Sequence, residues 1–234
     1  LLRDKGAFLN ALLLFLILLA ALLAPIIAPH DPYDLATIDI MDSELPPQWL
    51  AEGDARFIFG TDDQGRDIFS TILYGLRISL FIGIGAVCVQ LLLGVVIGLY
   101  AGYFGGRLDA FFMRLADIQL SFSTLMVAII ALAILQATFG AESYEELAVL
   151  MLILVIGIAE WPQYARTIRA SVLAERKKDY VDAARSLGTP ARKIMFGHIL
   201  PNTFAPMSVQ ATYICASAMI IEAILSFIGA GIPP

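Results

Sequence analysis

The side chains able to do chemistry in this 234-residue chain are few and scattered. Glu222 lies within ASAMIIEAILSFI, Ala216 to Ile228. An ionised carboxylate near the middle of a lipid-embedded helix costs about 2.5–3.5 kcal/mol, so Glu222 is expected to face a cavity or a neighbouring helix. Gln210, twelve residues earlier, is expected on nearly the same side, and the two together line a cavity or a polar contact between helices. Cys88 and Cys215 both fall inside apolar runs and read as buried packing thiols rather than a disulfide. His198 has one other histidine in the chain for company, too little for a metal or a catalytic site. No G-x-x-x-x-G-K-[ST] phosphate loop, G-x-S-x-G elbow or H-E-x-x-H helix occurs. The chain reads as a non-enzyme.

What positions these residues follows from composition. The chain is 59% hydrophobic with a mean hydropathy of +0.80, more apolar side chain than a soluble domain of this size can hide. A membrane span needs about 20 apolar residues, and five runs qualify or nearly so: Phe8 to Ile27, Ile78 to Tyr100, Leu120 to Phe139, Leu147 to Trp161 and Phe204 to Ile228. The fourth is short, so its helix is expected to run past Pro162 into water, with a kink there. Arg3 and Lys5 precede the first run, whose apolar core is too long for a cleaved signal. Gly83, Gly85, Gly94 and Gly98 recur along the second span at spacings that let helices approach, and packing within the chain is their simplest use. The result is an all-α membrane protein: an N-terminal helix (1–27), an outer segment (28–76) and a helical core (77–234) containing a polar loop (162–202).

Charge orients the chain. With the N-terminus in the cytoplasm, that side carries Arg3, Lys5, Arg107, Arg114, Arg166, Arg169, Arg176, Lys177, Lys178, Arg185, Arg192 and Lys193. The other side holds only Arg56, Arg66 and Arg77 against many acids, including Glu142, Glu145 and Glu146. The net charge of −6 is thus a sum of two opposite faces, and no basic patch interleaved with aromatics points to nucleic acid.

The loop contains YVDAARSLGTPARKIMFGHILPN, Tyr180 to Asn202, which reads as two short helices with a break. Tyr180, Ala183, Ala184 and Leu187 share one face; Gly188 suits a left-handed C-terminal cap, Thr189 an N-cap and Pro190 the first position of the next helix. Ala191, Ile194, Met195 and Ile199 form an apolar stripe with Arg192 and Lys193 facing away, until Pro201 stops the helix. The stripe packs on the protein's own helix ends, in the lipid interface, or on a partner.

Asp182-Ala183-Ala184, three residues, Gly188, then His198-Ile199-Leu200-Pro201 resembles the E-A-A-x3-G-x9-I-x-L-P loop of ABC importer permeases, with Asp182 for the usual Glu and His198 for Ile. A second stretch, Phe59-Gly60-Thr61-Asp62-Asp63-Gln64-Gly65-Arg66-Asp67, resembles the G-T-D-x-x-G-R-D segment of the second permease subunit of dipeptide, oligopeptide and nickel importers. The likeness extends through Gly105-Gly106-Arg107, Met113 to Asp117 and Leu225 to Gly229, nearly the whole chain after Asp31. It implies a type I importer transmembrane domain coupled to two cytoplasmic ATPase subunits, which hold ATP and Mg, through Asp182, Ala183, Ala184, Gly188, Thr189, Pro190, Arg192 and Pro201. It further implies a related second permease, a periplasmic or lipoprotein substrate-binding protein and a bacterial inner-membrane location. Peptides are the expected cargo, with nickel or another small solute as the alternative. An ion-coupled carrier is the competing class, disfavoured because Glu222 is the one clear deep ionisable residue and no internal repeat is evident. The family has six spans with both ends inside; a chain of five that starts at Leu1 is therefore expected to be incomplete, a sixth C-terminal span missing.

The outer motif has a plainer physical reading. Gly60 permits an unusual backbone angle, Thr61 or Asp62 can cap the helix leading to the second span, and Arg77 can reach the headgroups. Capping and turns account for Gly60, Thr61, Asp62, Gly65, Arg66 and Asp67 without a ligand; the alternative is that this acidic segment receives the binding protein.

Overall fold

Helix α1 (Lys5–Leu22) opens the chain of this computed structural model, which describes residues 5–34, 38–229 and 231. Arg3 and residues 232–234 lie outside the described residues, as do the side chains of Glu142, Glu145 and Glu146. Contacts divide the chain into two units, residues 1–81 and 82–234. Among the described residues the sole extended pairing is one isolated bridge, Thr61 with Asp67, so the all-helical expectation holds.

In the first unit the predicted Phe8–Ile27 run is interrupted at Leu23, and a short helix α2 (Ala24–Ile27) follows with Pro25 in its first turn, where a missing N–H costs nothing. The apolar window of α1 is 6% buried, which leaves its surface for lipid or other chains. The outer segment then leads to α3 (Ile68–Phe104), which starts well before the expected Ile78. Its N-cap is Asp67, not Thr61 or Asp62. The Asp67 carboxylate accepts from the N–H groups of Phe69 (3.3 Å) and Ser70 (3.1 Å) and from the Ser70 hydroxyl (2.5 Å). Thr61 and Asp62 are otherwise engaged, as described below.

The second unit holds the rest of α3 and the helices after it: α4 (Gly106–Leu120), α5 (Thr124–Phe139) and α6 (Ala141–Glu175). α4 and α5 meet at an 88° elbow, so the expected Leu120–Phe139 span is α5 entered from a transverse helix. α6 continues through Pro162 to Glu175, as its short apolar run required. Within its apolar window 67% of residues are buried, which makes α6 the central post of this unit.

Glycines let α3 lie against that post. A Cβ added to Gly94 would stand 2.3 Å from the Tyr164 Cβ, at Gly98 2.6 Å from the Ala165 carbonyl oxygen, and at Gly102 2.8 Å from the Val172 Cβ. Partner numbers rise with glycine numbers, so the helices run parallel, and the four-residue spacing keeps the bare positions on one face. Gly157 returns the favour from α6 by admitting Val89, and Gly85 admits Ile153. Gly83 sits against Met219 of α10 (Phe204–Phe227). Packing within the chain is therefore what these glycines do. Cys88 corrects another expectation: it is exposed on the outward face of α3, while Cys215 is half-buried, and both are free thiols.

Candidate functional site: a helix pair gripped by three membrane helices

Between α6 and α10 the chain forms α7 (Asp179–Ser186), α8 (Ala191–Ile194), a π-helical turn (Met195–Ile199) and α9 (Leu200–Asn202). The break after α7 is a left-handed cap: Gly188 has φ +75°, its N–H donates to the Arg185 carbonyl (2.9 Å) and the Thr189 N–H to that of Ala184 (3.1 Å). These two bonds define a Schellman closure, which other residues adopt only with strain. Thr189 is thus spent on ending α7, and Pro190, not Thr189, stands at the N-cap of α8, with no side chain capping it. Pro201 does not stop the second helix either. It has no N–H and its ring crowds the carbonyl four residues back, so the preceding turn widens: the Leu200 N–H reaches the Met195 carbonyl, five residues away, and the helix continues to Asn202.

The pair has two faces. Inside, Val181, Ile194, Met195 and Ile199 are fully buried against Val95 and Leu99 of α3, Ile168 and Val172 of α6, and Met207 and Ile214 of α10. Each such side chain contributes about 1.5–3 kcal/mol, enough together to hold the pair on the bundle. The expected apolar stripe is therefore satisfied within the chain. Outside, Asp182, Ala183, Arg192 and Lys193 are exposed, with Leu187 85% and Phe196 39% exposed. The expected face of Tyr180, Ala183, Ala184 and Leu187 is accordingly split: Tyr180 and Ala184 pack inward beside Val181, while Ala183 and Leu187 look out. An eight-residue helix seated on a bundle buries only part of its circumference, and Val181 takes the centre of that part.

Polar contacts lock the seat. Arg176 donates to the carbonyls of Gly102 and Tyr103 (2.9 Å each), which no intrahelical donor reaches at the end of α3. The Arg185 guanidinium lies 5.3 Å from the centre of the Tyr103 ring. Glu175 accepts from Lys178 (2.6 Å) and the Tyr180 hydroxyl (2.7 Å), and Asn202 donates to the His198 carbonyl (2.7 Å). Burial, followed by the bond to the Glu175 carboxylate, pushes the Tyr180 phenol above its ordinary pKa. His198 is half-buried and joins no metal-ligand group; none of three or more His, Cys, Asp or Glu occurs among the described residues.

The two intramembrane candidates part company. Glu222 is 5% exposed and accepts from the Ser226 hydroxyl (3.0 Å). Gln210 is half-buried, and twelve residues at about 100° each put the two about 120° apart around α10, so they do not share a side. A separation of eleven was needed. The structure also exposes a carboxylate the sequence reading folded into an apolar run: Glu160, 4% exposed, accepts from Thr124 (3.1 Å) at the start of α5, while Gln119 donates to the Ala159 carbonyl (3.3 Å). The acid directly before Trp161-Pro162 was the available signal.

The outer motif closes on itself. Thr61 accepts the Leu45 N–H (2.9 Å) and donates to the Asp42 carbonyl. Asp62 accepts from the backbone of Gln64 (2.9 Å) and Arg66 (2.8 Å) and from the Arg66 guanidinium (2.7 Å). Burial alone would raise the Asp62 pKa; the bonds from Arg66 and Gln64 outweigh it and hold the carboxyl below its usual range. Gly60 (φ +83°) and Gly65 (φ +79°) have a carbonyl oxygen, of Leu45 and Asp39, 2.2 and 2.3 Å from where a Cβ would sit.

Several helices long and apolar enough to cross a membrane, with a polar helix pair docked on them, mark the chain as a multi-span membrane component. Residues 94–233 match the family described as binding-protein-dependent transport system inner membrane component, and residues 1–47 match the N-terminal transmembrane domain of oligopeptide transport permease C. The chain is 38% identical to the di/tripeptide transport system permease of Pseudomonas aeruginosa over 232 residues, 99% of this chain and 72% of that one. It is 35% identical to the dipeptide transport system permease of Haemophilus influenzae (99% and 74%) and 34% to the oligopeptide transport system permease of Bacillus subtilis (98% and 69%). The chain belongs to the family of binding-protein-dependent inner-membrane transport components, the ABC importer permeases.

Proposed function

We propose that this permease carries peptides, and that two cytoplasmic ATPase subunits, which alone hold ATP and Mg, drive it by docking on the outward face of the α7–α9 pair. The observation that carries the coupling reading is the division of the pair: its inner face grips α3, α6 and α10 while Ala183, Leu187, Arg192 and Phe196 stay exposed. A lever needs such a firm seat on the moving helices and a free surface for its driver. Peptide cargo is supported by the names of the relatives, each a di-, tri- or oligopeptide permease. The same reading places the N-terminus in the cytoplasm, pairs the chain with a related second permease, and gives the outer segment to a substrate-binding protein. Glu222 belongs to the path or its gate.

Leu187→Asp tests the docking. Exposed as it is, Leu187 contributes little to the fold, so the variant keeps its membrane level and melting temperature while ATPase co-purification and peptide uptake fall. Normal uptake with normal ATPase association removes the reading. For Glu222, the Gln variant keeps shape and removes charge: uptake lost with stability retained puts it on the path, and parallel loss of both takes it off.

A further inference from the structure

α3 runs parallel to α6, and α4 returns antiparallel along the same helix. Two consecutive left-handed glycines, Gly105 (φ +65°) and Gly106 (φ +61°), make the reversal. From there one face of α4 meets α6 step by step. Asp109 accepts from the Arg169 guanidinium at both of its oxygens (2.5 and 2.6 Å), Met113 and Ala116 pack on Ala165 and Trp161, Asp117 pairs with Arg166, and Gln119 donates to the Ala159 carbonyl (3.3 Å). Asp109, Met113 and Ala116 follow one another at helical spacing, and so do Arg169, Ala165 and Trp161 in the opposite sense.

These contacts differ in what they can transmit. The apolar ones supply area without direction. The Asp117–Arg166 pair is exposed on both sides, 62% and 47%, so water screens it. Asp109 and Arg169 are only 17% and 32% exposed and are joined by two parallel charge-assisted bonds, a planar fork that resists sliding and rotation alike. Pulling them apart would break both bonds and leave two partly buried charges without partners.

Arg169 also stands at a junction. Its backbone lies against α3: a Cβ added to Gly98 would be 3.1 Å from its nitrogen, and one added to Gly102 would be 3.1 Å from its carbonyl oxygen. Its neighbours Ile168 and Val172 belong to the buried cluster that seats Val181, Ile194, Met195 and Ile199 of the α7–α9 pair. Its side chain leaves that cluster and reaches α4, which leads through the 88° elbow into α5. The stretch of α6 that carries the seat therefore carries the firmest link to α4.

We propose that Asp109 and Arg169 are positioning residues for transport: their two-bond strut makes α4 follow the part of α6 that seats the α7–α9 pair, and so delivers movement of the pair to the α4–α5 elbow. This rests on the ATPase-docking reading above. Leu187→Asp tests that reading through loss of the ATPase, whereas a broken strut leaves the ATPase bound, so the two failures are told apart.

The test uses the transporter assembled with its partner subunits in proteoliposomes and a radiolabelled dipeptide supplied with the system's binding protein. ATPase association, ATP hydrolysis and dipeptide imported per ATP are measured. Asp109→Asn keeps the shape of the side chain and removes its charge. It is expected to retain its ATPase and to hydrolyse ATP, while import per ATP falls roughly tenfold, within the span of about 5–150-fold that a coupling between sites is worth. In a Cys88→Ser, Cys215→Ser background, Asp109→Cys with Arg169→Cys is expected to be uncoupled as well, and to recover most of its import when a short bifunctional methanethiosulfonate joins the two thiols. The crosslink restores a connection and not the charges, so recovery identifies a mechanical strut, and this pair carries the test should Asp109→Asn fail to assemble. A role in folding alone would lower assembly, hydrolysis and import together in both variants, crosslinked or not, and would overturn the proposal. Wild-type import per ATP in Asp109→Asn overturns it too, as does a crosslink that blocks import, because α4 and α6 then part during the cycle.

Discussion

Two segments of this permease carry recognisable motifs, and they spend their polar groups in opposite ways. In the outer segment the motif side chains bond to their own neighbourhood: Asp62 to Arg66, Thr61 to Leu45, Asp67 to the first turn of α3. In the α7–α9 pair the fold is held by buried Val181, Ile194, Met195 and Ile199, and the outward side chains stay exposed. A motif that closes on itself makes shape; one that buries its apolar half and leaves the other half in water is presenting a surface. Similar residue types serve both, so composition alone cannot tell them apart.

The comparison breaks most visibly at Gly188. Gly188→Pro forces φ from +75° to about −65° and removes a bonded N–H, so the lever loses its bend while the membrane helices stay. Peptide uptake by reconstituted transporter should fall more than tenfold at unchanged membrane level. Ala184→Asp should come close to it by putting a charge against the buried seat. Either variant with wild-type uptake would join the two segments in one structural class.

An intermediate effect belongs to the outer segment. Asp67→Ala removes the cap of α3 and should cost about 1–2 kcal/mol, read as a lower melting temperature with ATPase co-purification intact. Loss of the ATPase in this variant would mean that the outer segment acts on coupling. Smaller again is Tyr180→Phe, which deletes the bond to Glu175 yet keeps the ring: uptake per ATP hydrolysed should drop a few-fold with little change in stability.

The smallest effect is pH-dependent. Because Asp62 has its folded pKa depressed, its contribution is complete above the ordinary carboxylate value of about 4 and is lost as pH falls through the folded value. In a Trp161→Phe background, emission from Trp49, which stacks edge-on with Phe59, should therefore hold steady down to about pH 4 and change below it. Asp62→Asn should abolish that acid step; its persistence would assign the change to another group.

The spans, the helix–break–helix loop and its left-handed glycine were legible from sequence, because each rests on local physics. Apolar length, a capping residue and a Cβ-free position act within a few residues. Legible too was the family, from motifs spread over the chain. The tertiary structure decided everything that depends on what lies across from a residue. Asp67 rather than Asp62 caps α3 because Asp62 is taken by Arg66. Leu187, the residue that ends α7, faces out although Val181 of that helix is buried, because α3, α6 and α10 fix which side is inside. Gln210 and Glu222 separate because a helix turns through 100° per residue, and Glu160 vanishes into an apolar run until Thr124 from another helix meets it. Short-range forces write elements into the sequence; which face of an element is left for a partner is set by neighbours distant in the chain.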